Sequence, residues 1–302
     1  MATRNKNHPI QILLLGNTGQ LGWELERTLA PLGELQAIDY PAVDLANVES
    51  IRQVFHHYNP KLIINAAAYT AVDRAETEPD LANAINAIAP ATIAEEAQKT
   101  SAAFIQFSTD YVFDGSKSAP YLETEAPNPL NVYGRTRLTG EQKVQQIGGA
   151  YLILRTSWVY SLRRDSFVNK VLSWARSQSN LKLVTDQISG PTWARMLAEI
   201  TGHLVLLGGV DIVDWLSEHH GLYHLAGSGY CSRFVWGQEV LRLDPHKDEQ
   251  VLHELLPALT AEFPSSARRP LFSALNCDHF AHTFHLHLPD WKIALKLAME
   301  SV

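Results

Sequence analysis

Residues 10–32 read IQILLLGNTGQLGWELERTLAPL, and this stretch decides the fold. Ile10 to Leu15 is an almost unbroken apolar run, the pattern of a parallel strand covered on both faces. Gly16-Asn17-Thr18-Gly19-Gln20-Leu21-Gly22 follows at once. Trp23 to Leu32 then reads as a helix, with Leu21, Leu25, Leu29 and Leu32 at helical spacing. Strand, glycine loop and helix in that order form the context of a dinucleotide site, because the helix N-terminus offers free N–H groups to a pyrophosphate. Gly16 allows the tight turn, Gly19 lets the backbone approach the phosphates, and Gly22 lets helix and strand pack closely. Thr18, Gln20 and Leu21 complete the cofactor-facing turn.

Moving outward, Leu35 to Ile38 reads as a second strand ending at Asp39. Asp39 follows the last glycine at roughly the spacing of a ribose-binding acid, about 20 residues, and an acid there favours NADH over a 2′-phosphate. Asp44 and Leu45 come next and are candidates to flank an adenine ring. Ile51 to Tyr58 reads as a helix closed by Pro60. Lys61 to Asn65 is a third strand that Ala66, Ala67 and Ala68 continue, and these small residues let a cofactor come close. Leu81 to Lys99 is an Ala-rich helix.

Phe104 to Phe107 is a buried strand, with Ser108, Thr109, Asp110 and Tyr111 at its C-terminal end, where open parallel sheets place their ligands. A Pro-rich loop leads to a helix bearing Tyr133 and Arg137. These are i and i+4, so a phenol and a fixed cation share one helix face. A phenol beside a cation can protonate a carbonyl oxygen and leave as a stabilised phenolate, with Thr109 supplying a second hydrogen bond. Further strands are expected at Tyr151–Arg155, Leu181–Val184 and 223–225. Helices are expected at Phe167–Ser177, Trp193–Leu207, 234–243 and Trp291–Met299. The alternation predicts an α/β fold, a Rossmann doubly wound parallel sheet with a smaller C-terminal substrate-binding lobe. The dinucleotide-binding domain spans 10–160, with 181–226 returning to it. The lobe takes 227–302, with 161–180.

The 302 residues carry a formal net charge of −7, which argues against nucleic acid as the partner. Two cysteines, Cys231 and Cys277, give no disulfide framework and fit the reduced cytoplasm. Met1 to Pro9 is polar and reads as no secretory signal, and Val205–Val210 is too short to span a membrane. His279, His282, His285 and His287 come without carboxylate or cysteine partners, so no metal site is read from them.

With these residues in hand, the chain resembles the extended short-chain dehydrogenases/reductases, and among them the dTDP-4-dehydrorhamnose reductase family. The resemblance rests on GNTGQLGWEL at 16–25, NAAAYTAVDRAE at 65–76, STDYVFDG at 108–115, RTSWVY at 155–160, DQISGPT at 186–192 and LPDW at 288–291. It implies reduction of the 4-keto group of dTDP-4-dehydro-L-rhamnose with NADPH or NADH. By matching position, Thr109 and Tyr133 contact the keto oxygen with Tyr133 as proton donor. Val72, Asp110, Tyr111 and Trp158 shape the sugar pocket. The family pattern at the tyrosine is Y-x-x-x-K, and this chain has Arg137 in place of the lysine. That substitution favours one alternative, a cofactor-binding regulatory subunit that has lost turnover; a reductase or epimerase of another nucleotide sugar is a separate second alternative. Some relatives are dimers bridged by magnesium through glutamates. Glu24 matches one such position, but Arg195 stands where that form carries an acid, so a monomer or weak homodimer without structural metal is expected.

Overall fold

The computed structural model describes residues 9–300. Of the polar start Met1–Pro9, all but Pro9 lies outside the described residues. In chain order the fold begins β1 (Ile10–Leu15), α1 (Gln20–Leu29), β2 (Gly33–Ile38), α2 (Val48–Tyr58) and β3 (Leu62–Asn65). Two short helices, α3 (Val72–Ala75) and α4 (Pro79–Asn83), precede α5 (Ala89–Lys99) and β4 (Ala103–Thr109). Then come α6 (Val132–Ile147), β5 (Tyr151–Thr156), β6 (Val159–Tyr160), α7 (Phe167–Ser177), β7 (Asn180–Val184), β8 (Ile188–Ser189) and β9 (Thr192–Trp193). The chain closes with α8 (Ala194–Gly208), α9 (Ile212–Glu218), β10 (Gly221–His224), β11 (Cys231–Ser232), α10 (Arg233–Leu243), β12 (Glu254–Ala258), α11 (Asp278–Phe284) and α12 (Trp291–Met299).

Six strands form one sheet in the order β10-β5-β4-β3-β1-β2, and every pairing is parallel. The order reverses at β1, so the crevice at its C-terminal end, beside β3, is the switch point where such sheets bind ligands. Alternation along the strands divides the core. Ile12 and Leu14 join Leu25 and Leu29 of α1, Leu197 of α8 and Leu216 of α9 on one face. Leu13 and Leu15 join Phe55 of α2, Ala94 and Ala97 of α5 and Val144 of α6 on the other. Both faces are covered, which is why β1 reads as continuous apolar sequence rather than an alternating one.

Several boundaries differ from expectation for identifiable reasons. Ala66–Ala68 do not continue β3; Asn65 Oδ1 accepts from the Ala67 N–H and turns the chain off the sheet. The helix expected over 81–99 is broken by a π turn at Ala84–Ile88. Pro90 lies just beyond it, lacks an N–H and would crowd the Asn86 carbonyl in a regular α-helix. The strand at 181–184 does not enter the central sheet. As β7 it pairs with β12, while β8 pairs with β11 and β9 with β6, so the stretch that flanks the sheet again begins at α8. Ala194–Glu218 is a 25-residue helical stretch, longer than the apolar run read from sequence and apolar enough to cross a membrane. Half of its most apolar window, 50%, is buried inside the protein, which accounts for that composition in α8. Trp158, Trp236, Val168 and Leu183 belong to a separate apolar cluster beyond the strand ends.

Candidate active site

The glycine loop lies at the switch point. Gly16 has φ +85°, and a Cβ on it would sit 2.7 Å from the Ala67 nitrogen. At Gly22 a Cβ would meet the Gly16 oxygen at 1.9 Å, so this glycine is what lets α1 approach β1. Gly19 is different. Its backbone is ordinary (φ −73°), and a Cβ there would have no protein atom nearer than 3.4 Å. The fold does not demand glycine at 19; the space in front of it does, as close approach of a ligand to the backbone would require. Asp39, at the end of β2, accepts from the Thr18 hydroxyl at 2.5 Å and the Thr18 N–H at 3.3 Å, which ties the loop to the neighbouring strand.

Opposite lies the end of β4, whose seven residues are all buried. Thr109 Oγ1 accepts from the Tyr111 N–H and donates to Asp110 Oδ1, each at 3.2 Å. Asp110 is buried, and its Oδ2 accepts from Ser189 at 3.1 Å and Ser273 at 2.5 Å. Burial outweighs these hydrogen bonds and pushes its carboxyl up to about 6.

Helix α6 brings the phenol and the cation. The Asn131 side chain caps it by accepting from Gly134 N–H, and Glu76 accepts from Val132 N–H. Gly134 lies so close to the Tyr111 carbonyl that a Cβ would be 2.2 Å away. This approach sets the Tyr133 ring edge-on to Tyr111, 5.7 Å between centroids. Arg137 is 5% exposed; its Nη2 donates to the Phe107 carbonyl, while its Nε and Nη1 are buried without a partner among the described residues.

These pieces line one cavity of about 690 Å³, within the range of small-molecule sites. Of the residues expected at the site, Gly16, Thr18, Gly19, Gln20, Leu21, Asp39, Ala66, Ala67, Ala68, Thr109, Asp110, Tyr133, Arg137 and Trp158 line it. Gly22, Asp44, Leu45, Val72 and Tyr111 do not. Gly22 acts beneath the loop. Asp44 Oδ1 accepts from Ala46 N–H, and Leu45 packs on the core. Gln20 Oε1 and Thr156 Oγ1, like two Arg137 nitrogens, are buried, unpartnered among the described residues and on cavity-lining residues. Buried polar atoms of this kind, an acceptor on Gln20, a hydroxyl on Thr156 and two donors on Arg137, fit a polar ligand such as a nicotinamide dinucleotide.

Several contributors escaped the sequence reading. Glu141 and Arg155 form a fully buried ion pair, Nη2 to Oε2 at 2.6 Å, and Ser108 donates to the same carboxylate at 2.5 Å. The signal was an arginine ending the otherwise apolar strand YLILR. Arg233 stacks its guanidinium 3.6 Å from the centre of the Trp158 ring, and Trp158 itself has φ +41°. Arg269 did not escape it: the basic pair Arg268–Arg269 reads from sequence as either a diphosphate contact or plain surface, and Arg269 pairs with Asp73 at 2.5 Å, joining the C-terminal lobe to the segment after β3. Arg164 and Asp165 reach the cavity from the loop after β6; nothing in their spacing marked them.

A parallel sheet with a glycine loop at its switch point, and a Tyr–Arg pair facing a strand-end threonine, defines a dinucleotide-dependent oxidoreductase of the short-chain dehydrogenase/reductase type. The chain matches the RmlD substrate binding domain over residues 10–302. It is 41% identical over 295 residues to dTDP-4-dehydrorhamnose reductase of Escherichia coli (strain K12), covering 95% of this chain and 96% of that one. A dTDP-4-dehydrorhamnose reductase from Bacillus anthracis, solved in complex with NADP, superposes with a TM-score of 0.88 at 30% identity, covering 97% and 100%. The UDP-glucose 4-epimerase of Thermus thermophilus, solved with NAD, shares the fold at TM-score 0.75 and 17% identity, covering 96% and 97%. The chain belongs to the dTDP-4-dehydrorhamnose reductase family.

Proposed function

We propose that this protein reduces the 4-keto group of dTDP-4-dehydro-L-rhamnose to dTDP-L-rhamnose, using NADPH or NADH. The observation that carries the reading is the meeting of Tyr133, Arg137 and Thr109 with the glycine loop in one cavity, in a chain of this family. A dihydronicotinamide held in this cavity would supply the hydride for the carbonyl carbon. Tyr133 gives its phenolic proton to the oxygen, and the fixed charge of Arg137 favours the phenolate that remains. Thr109 is placed to steady the same oxygen. Gly16, Thr18, Gly19, Gln20, Leu21 and Asp39 would hold the cofactor's phosphates and ribose, with Ala66–Ala68 along its flank. Arg233 forms no ion pair within 4 Å among the described residues, though it lies in the field of Asp110, and its positive charge on the lobe side suits an anionic nucleotide sugar.

The substrate lobe in this reading comprises 159–193 and 227–300 closing over the strand ends. We place the enzyme in the cytoplasm. We also take it to be a monomer or weak homodimer without structural metal. Glu24 lies within the field of Arg195, Arg163 and Arg27, and Arg195 pairs with Glu199 at 2.9 Å, a setting that repels a divalent cation. Sedimentation with and without EDTA tests this; a mass change on chelation contradicts it.

The functional test is NADPH oxidation with enzymatically made dTDP-4-dehydrorhamnose. Tyr133→Phe is expected to lose nearly all turnover while binding NADPH as before. Arginine in place of the family lysine favours a second reading, a regulatory subunit. Equal inactivity of wild type and Tyr133→Phe supports that reading. Turnover confined to other 4-keto sugar nucleotides assigns a different sugar.

A further inference from the structure

Thr109 has one hydroxyl proton, and in this structure Asp110 holds it. The hydroxyl accepts from the Tyr111 N–H and donates to Asp110 Oδ1, both at 3.2 Å. A hydroxyl has one donor, so Thr109 cannot also donate to a substrate oxygen in this arrangement. The carboxyl's other oxygen is committed: Oδ2 accepts from Ser273 at 2.5 Å, and from Ser189 at 3.1 Å through a proton that Ser189 shares with the Ser273 carbonyl at 3.2 Å. Oδ1 is therefore the oxygen on which a proton changes the network. We propose that Asp110 sets the direction of the Thr109 hydroxyl. As a carboxylate it retains the Thr109 proton; as a carboxylic acid it donates from Oδ1 to Thr109 Oγ1 and frees that hydroxyl to donate to the oxygen of a bound ketone. Asp110 takes up one proton from solvent in passing from carboxylate to acid, and Thr109 keeps its own O–H bond throughout. Asp110 is a positioning residue acting through Thr109. The inference rests on the carbonyl reduction proposed above.

The surroundings suit such a gate. Asp110 is 2% exposed, and desolvation lifts its ionisation to about 6, inside the range over which an enzyme works. Arg233 on α10 is the cation facing it; Tyr111 lies on its own turn, with Arg269 and Tyr133 behind Tyr111. Arg137 and Tyr133 line the same cavity from α6. A ketone seated over Thr109 excludes more water and favours the acid form further.

Asparagine is the isostere of the protonated acid: its N–H₂ can donate to Thr109 while its oxygen accepts from Ser189 and Ser273. The test measures kcat/KM with dTDP-4-dehydrorhamnose from pH 5 to 9 for wild type, Asp110→Asn and Thr109→Val. Asp-selective ¹³C NMR of the carboxyl follows in the cofactor-free wild type and Thr109→Val. Wild type should lose activity as pH rises through the Asp110 ionisation. In Asp110→Asn that ionisation should vanish, with kcat/KM at pH 8 exceeding wild type by about tenfold or more. Thr109→Val should be slow at every pH and should titrate Asp110 at higher pH than wild type, having lost a donor to the anion. An Asp110→Asn profile that keeps the wild-type ionisation, or falls below wild type throughout, overturns the proposal. So does a carboxyl titration unmoved by Thr109→Val. An inactive wild type instead counts against the proposed reaction, and the NMR comparison then decides whether Thr109 holds the Asp110 anion.

Discussion

Arg137 donates from Nη2 to the carbonyl oxygen of Phe107, two residues before Thr109 on the same strand. One backbone acceptor thus anchors the helix cation against the strand that presents the threonine, and Nε and Nη1 are left buried without a partner among the described residues. The charge is what Tyr133 needs; the fork geometry is particular to arginine. Arg137→Met should lower kcat by roughly 100-fold or more, with weakened cofactor binding. Arg137→Lys should retain wild-type activity or exceed it. Steady-state kinetics of the two variants check this. Loss of turnover in Arg137→Lys shows a pocket rebuilt around the guanidinium.

Gly19→Val should fold normally and fail to bind cofactor. A Cβ at 19 meets no protein atom closer than 3.4 Å, so the new side chain occupies the cavity rather than the core. Fluorescence titration with NADPH, beside a thermal melt, separates the two effects. Unchanged NADPH affinity contradicts the placement of the pyrophosphate here. Gly22→Ala, by contrast, should lower the melting temperature, because its Cβ collides with backbone.

The Glu141–Arg155 pair should be expensive to break on one side. Both side chains are nearly inaccessible, 1% and 3% exposed. Removing one partner leaves a buried charge, at a cost of about 3–5 kcal/mol. Arg155→Met and Glu141→Leu should each show that loss in urea unfolding, and the double variant should recover much of it. Additive losses in the double variant would falsify this account.

Acid stability should depend on His224. Burial and the neighbouring Arg155 push its imidazole down to about 3 from the ordinary 6.5, while Nδ1 lies 3.1 Å from the Tyr121 carbonyl and 3.2 Å from that of Asn276. The unfolded chain takes up a proton below about 6.5 and the folded chain does not until near 3, so stability is lost as pH falls through that window. Asp110 acts in the opposite sense. Its raised pKa makes the folded state relatively less stable as pH rises from 3.8 to about 6. His224→Gln should start less stable at pH 7.5 and lose less on acidification. Calorimetric melts at pH 7.5, 6 and 5 check this, and parallel curves for the two proteins contradict it.

By itself the sequence determined the architecture of the dinucleotide half. Runs such as Ile10–Leu15 and Leu62–Asn65 are apolar but for Gln11 and Asn65 because both faces of their strands are covered, and Gly16 and Gly22 are required by local geometry. These are short-range constraints, so they are written as contiguous patterns. The Tyr133–Arg137 face was readable for the same reason, since i and i+4 always meet on a helix. Tertiary structure alone decided what is not local. Ser189 and Ser273 reach Asp110 from about 80 and 160 residues away, and only that closure desolvates the carboxyl. Arg155 finds Glu141, and Arg233 finds Trp158, across elements whose approach no periodicity records. The strand at 180–184 left the central sheet to pair with 254–258, because its partner is chosen by which edge lies open in the folded lobe. Burial, and with it the electrostatics of the site, is a property of the assembled chain.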